Sequence, residues 1–132
     1  MKTAAVLIAR LLFAFAFAQG AAFKFVFIGM DATAAEIAGA GFPFPLLLAW
    51  IAAFFETGLA LAFLTGFYFR EAATVAAAYV LFLGLSFYGS EQWSGNLMAY
   101  GLFVSHLTFI AGLLFAAVHG PGDRLVLRWR PL

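Results

Sequence analysis

Apolar residues fill this chain in four long blocks, roughly Ala4 to Ile28, Leu46 to Phe69, Ala72 to Phe87 and Leu97 to Val118, with short polar or Gly- and Pro-containing breaks between them. At about 1.5 Å of rise per residue, such blocks cross a hydrocarbon core about 30 Å thick as helices. Strand-like alternation is absent, and backbone amides in lipid have to be satisfied within their own segment, so helices are expected. The first break is the longest. Within Gly29 to Pro45, Thr33 stands three places before Glu36, a capping-box spacing that predicts a short interfacial helix between the first and second spans. Gly39, Gly41, Pro43 and Pro45 then turn the chain back, with Pro45 suited to the first turn of the second span. A tight turn around Arg70 and Glu71 is expected between the second and third spans. Tyr88 to Asn96 reads as an outer interfacial segment with the Trp93 indole at headgroup level.

Composition settles the class. The chain is 66% hydrophobic and 10% charged, which leaves too little polar surface to cover a soluble domain of 132 residues. The expected fold is an all-α integral membrane protein, a single four-transmembrane-helix bundle with spans 4–28, 46–69, 72–87 and 97–118 and a basic cytoplasmic tail over 119–132. Lys2, Arg70, Arg124, Arg128 and Arg130 fall on one side of this topology and Asp31, Glu36 and Glu91 on the other, which predicts that both termini are cytoplasmic. Lys2 and Ala16-Phe17-Ala18 also resemble a signal peptide with its cleavage site. Arg10 interrupts that pattern, and the hydrophobicity continues through Phe27, so a retained first helix is the preferred reading. The absence of cysteine rules out disulfides and thiol exchange by this chain, and its net charge of +1 gives no footing for nucleic acid.

The informative polar residue is Glu56, in the middle of the second span. An ionised carboxylate at that depth costs about 2.5–3.5 kcal/mol on insertion scales unless a partner neutralises it. Ala49, Ala52, Ala53 and Ala60 share its stripe, allow close helix approach, and seat it inside a bundle. By rise, Glu56, Tyr79 and His106 all lie roughly 14 to 16 Å deep, and Arg10 and Lys24 share one face of the first span. These five form a candidate polar cluster, in which either Arg10 or Lys24 bends toward Glu56. Gln19 points away from that face. Plainer readings stand beside it: Arg10 and Lys24 snorkel to opposite headgroup layers, Tyr79 is a core tyrosine, and His106 makes an interhelical hydrogen bond. Gly101, Ser105, Thr108 and Gly112 form a small-residue stripe about 100° from His106 that reads as a packing seam. His106 and His119 lie about 20 Å apart on one helix and cannot clamp one haem iron, and no zinc spacing, phosphate loop or nucleophile elbow appears. No metal site and no autonomous catalysis are expected.

Arg10 followed by aliphatics and phenylalanines, Gly20 before Lys24, Glu56, Gly66, Arg70, and Gly120-Pro121-Gly122 after the last span together resemble the DoxX family of small four-helix bacterial membrane proteins. That family is similar to the membrane subunit of a thiosulfate:quinone oxidoreductase. The resemblance implies a location in the bacterial inner membrane and makes Arg10, Lys24, Glu56 and Arg70 the charged landmarks, with Gly120, Pro121 and Gly122 marking the cytoplasmic exit. The tail Asp123 to Arg130 departs from the family pattern and reads as an inner-leaflet anchor or a docking segment. The leading expectation is a membrane subunit that binds a quinone or similar lipid-soluble redox carrier beside Glu56, with a protein partner supplying the redox centres. Some of the eighteen phenylalanines would line its flat apolar pocket. The alternatives are a noncatalytic scaffold or assembly partner and a small transporter, the latter enclosing a path as a homo-oligomer.

Overall fold

The computed structural model describes residues 2–122, and the basic tail from Asp123 onward lies outside them. All regular structure among the described residues is helical. Helix α1 spans Lys2–Ala22 and continues as a π-helical turn, Phe23–Phe27; α2 spans Gly29–Gly39, α3 Pro45–Thr65, α4 Phe69–Tyr88 and α5 Leu97–His119. Four helical stretches among the described residues are long and apolar enough to cross a membrane: Ala4–Phe27, Pro45–Thr65, Phe69–Gln92 and Leu97–His119.

The helices fall into two compact units. One holds the chain to Tyr68 together with Pro121 and Gly122, and the other holds Phe69 to Gly120. In the first unit α3 packs on both α1 and α2. Contact between α1 and α3 follows their small and aromatic stripes: Ala14, Phe17 and Ala21 are buried on one helix, and Ala49, Ala53, Ala60 and Phe63 on the other. Phe63 lies against Phe13 and Phe17 at ring distances of 5.3 and 5.7 Å, the second pair nearly parallel. These contacts pin the axial register of the two helices. In the second unit α4 and α5 pack together. The buried Ala99 and Leu113 stand seven residues to either side of His106, so all three occupy one stripe of α5.

Three local expectations change. Helix α2 forms, but it begins at Gly29, and Thr33 sits inside it with its hydroxyl donating to the Gly29 carbonyl at 2.9 Å, so Thr33 is no N-cap. The turn between the second and third spans comes earlier than Arg70 and Glu71. Gly66 caps α3 in the left-handed conformation, and α4 has restarted by Phe69, which puts both charged residues in its first turn. The stripe of Gly101, Ser105 and Thr108 is exposed, and Thr108 returns its hydroxyl to the Val104 carbonyl of its own helix. Asn96 caps α5 by accepting from the Ala99 amide at 3.1 Å.

Candidate functional site

Glu56 is buried in the first unit, 5% exposed, on the α3 stripe whose neighbours Ala49 and Ala53 are fully buried. Its carboxylate meets the Lys24 ammonium, with Nζ 2.9 Å from Oε1. Lys24 sits in the π-helical turn that ends α1, where Ile28 donates to the Phe23 carbonyl five residues back. Lys24 is therefore the cation that reaches Glu56. It does not snorkel to the headgroups.

Space for the carboxylate comes from Gly20, one α-helical turn before Lys24. A methyl group at Gly20 would stand 2.7 Å from Glu56 Oε1, well inside van der Waals contact. Gly20 is thus a notch that admits a charged group between two close-packed helices. Gly20→Ala is expected to push the carboxylate off Lys24 and to lower the midpoint of thermal unfolding in detergent by several degrees. The overpacking cost behind that shift is about 1–3 kcal/mol. An unchanged midpoint would remove the notch from the account.

Arg10 takes another path. Its side chain is 1% exposed, with Nε donating to the Phe63 carbonyl at 3.0 Å, Nη2 to Leu64 at 2.8 Å and Nη1 to Pro121 at 3.2 Å. Phe63 and Leu64 belong to the last turn of α3, whose carbonyls have no amide within the helix to accept from. The Gly66 amide satisfies Ala62 at 2.8 Å, and the guanidinium satisfies the next two. A cation there also complements the negative end of the helix dipole.

The second unit repeats the device. Gly120 donates to Ala116 at 2.9 Å at the end of α5, and Arg70 donates to Val118 at 2.8 Å and to His119 at 3.3 Å. Gly120 has φ of +90°, and a Cβ there would fall 2.9 Å from Arg70 Nη2, so the position needs glycine on both counts. Gly122 also has a positive φ, +78°, and a Cβ there would fall 3.2 Å from Val6 Cγ1.

Tyr79 and His106 belong to α4 and α5, and both are half-buried. His106 Nδ1 is 2.7 Å from the Leu102 carbonyl of its own helix. Gln19 bonds to the Ala16 carbonyl and stays exposed, away from the Lys24 face as expected. On the α1 and α3 pair an apolar groove of about 560 Å³ runs along Leu11, Phe15, Ala18, Ala22, Ala60 and Leu61, with Thr57 as its one hydroxyl-bearing residue. Glu56 precedes Thr57 and is not part of the groove wall. The helix-capping arginines and the glycine notch left no periodic signal in the chain. The sequence marked Arg10 as a candidate partner of Glu56 and Arg70 as a cytoplasmic charge, and only the resemblance to a family singled out Gly20.

Among comparisons with known proteins, the DoxX family model matches residues 5–89, which covers Arg10, Gly20, Lys24, Glu56, Gly66 and Arg70 and stops before α5. No curated protein and no solved structure matches the chain.

Proposed function

The chain belongs to the DoxX family, and from that membership we propose a multi-pass protein of the bacterial inner membrane that binds a quinone or similar lipid-soluble redox carrier as a subunit of an oxidoreductase. Both termini face the cytoplasm in this reading, and α2 lies at the outer interface. The redox centres reside in a protein partner. A quinone takes up two electrons and two protons and carries them within the bilayer.

The observation that carries the reading is the Lys24 and Glu56 pair, buried within the α1 and α3 packing by the Gly20 notch. A carboxylate inside a membrane span is costly to keep, and such groups mark proton or substrate paths. In this reading Glu56 exchanges the carrier's proton at Oε1, beside the Lys24 ammonium. The groove on the same helix pair has the volume and the apolar wall that a ring or isoprenoid chain requires.

Glu56→Gln keeps the shape and an oxygen for Lys24 but cannot take up the proton. In the complex purified with its partner, quinone-linked turnover is expected to fall about a hundredfold or more. Unchanged turnover and unchanged bound quinone would refute the proposal.

A scaffold role is the second reading, and the arginines favour it. Arg10 and Arg70 both commit their guanidinium groups to helix-end carbonyls, which is the work of residues that hold a bundle together.

A further inference from the structure

His106 carries a hydrogen-bonding group that the α4 and α5 pair does not use. Its Nδ1 lies 2.7 Å from the Leu102 carbonyl oxygen. A carbonyl only accepts, so Nδ1 bears the hydrogen in that bond. With the ring neutral, Nε2 is then a bare lone pair and can accept but not donate. Neither Nε2 nor the hydroxyl of the neighbouring Tyr88 has a hydrogen-bond partner among the described residues. An acceptor left unpaired within an apolar span costs free energy that a hydroxyl-bearing ligand would recover.

The surroundings hold the imidazole in place. Gly84 of α4 lies beneath it, and a Cβ there would be 3.3 Å from His106 Cβ, so the ring packs flush on the α4 backbone. The Tyr88 ring stands 5.4 Å away. Trp93 folds back from the connecting segment, donates its indole N–H to the Tyr88 carbonyl at 2.7 Å, and packs on Tyr100 and Phe103. Phe103 precedes His106 by three residues and so shares its side of the helix. Flat aromatic faces and one oriented acceptor suit a phenol-type ring.

We propose that His106 Nε2 accepts a hydrogen bond from the hydroxyl of a membrane-soluble aromatic ligand, and thereby selects the reduced quinol form of a redox carrier over its quinone. This rests on the reading of the protein as a binder of such carriers. A quinol hydroxyl has a hydrogen to give to Nε2. A quinone carbonyl would set its own lone pairs against that of the imidazole. The site so defined lies within the α4 and α5 pair, and there His106 is the residue that sets the preference for the reduced form.

The test uses the full chain in lipid nanodiscs, with a decyl-substituted benzoquinol and the matching benzoquinone as probes, and measures the affinity of each. The wild type is expected to prefer the quinol about tenfold, equivalent to about 1.4 kcal/mol. His106→Phe, which keeps a flat ring and removes both nitrogens, should lower quinol affinity and raise quinone affinity, so that the tenfold preference disappears. Nitrogen-15 NMR of the wild type supplies a readout that needs no variant: the Nε2 resonance of His106, told from His119 by a His119→Gln control, should move on adding quinol and stay on adding quinone. Equal binding of both forms, or an Nε2 signal blind to quinol, overturns the role of His106 alone. Failure of both probes to bind the wild type overturns the redox-carrier reading and this inference with it.

Discussion

Arg10→Met is expected to be the most damaging single change in the chain. Methionine replaces the volume of the side chain but leaves the carbonyls of Phe63, Leu64 and Pro121 without the donors that satisfy them. An unsatisfied buried acceptor costs about 1–3 kcal/mol, so losing the group should cost several kcal/mol, a large part of the stability of a small protein. The end of α3 should fray first, since the guanidinium also complements the dipole there. Arg10→Lys is expected to recover only part of the loss, because an ammonium is a point charge without the planar fork that spans two adjacent carbonyls. Helix content followed through a denaturing-detergent titration reads both variants. A midpoint for Arg10→Met indistinguishable from wild type would mean that water or lipid headgroups serve these carbonyls equally well.

The second large effect is expected at the ion pair, where the single and double variants should differ in sign from simple addition. Lys24→Met strands the Glu56 carboxylate, 6% exposed at its side chain, with its counter-ion gone. Breaking a buried pair in this way costs about 3–5 kcal/mol, unless the carboxyl takes up a proton. Adding Glu56→Met to Lys24→Met removes the stranded charge and should restore much of the folded yield, because two apolar side chains often replace a buried pair at little cost. The double-mutant cycle separates the two functional readings. A redox-carrier subunit should return folded but inactive, and a scaffold should return folded with its partner still bound. If the single variant is as stable as the double, Lys24 does not neutralise Glu56 in the folded protein.

The landmarks that resemble the DoxX family acquire physical roles from these contacts. Arg10 works with Gly66 at the end of α3, and Arg70 with Gly120 at the end of α5. Gly20, Lys24 and Glu56 form one constellation at the α1 and α3 contact. The first two sets maintain helix ends. The third is the one on which the proposed function rests, because it places a carboxylate and an ammonium in enforced proximity within a span.

Much of this architecture is local and therefore readable along the chain. Apolar blocks of membrane-crossing length have to be helical because lipid offers backbone amides no other partner. The inward position of Glu56 followed from the alanines at helical spacing around it, since a charge and small residues on one stripe both avoid lipid. Pro45 announced the start of α3 in the same way.

The choice of partners was not local. Two cations share a face of α1, and either was long enough to reach Glu56. Which one does so depends on helix rotation and axial register, and these are set by Phe13 and Phe17 against Phe63 and by the notch at Gly20. Arg10 ended on helix carbonyls because that register brings it beside the last turn of α3, where backbone acceptors lack amides. A capping arginine of this kind arrives from a distant part of the chain, so no spacing along one helix announces it. Periodicity tells a side chain which way to face, and only packing tells it whom it meets.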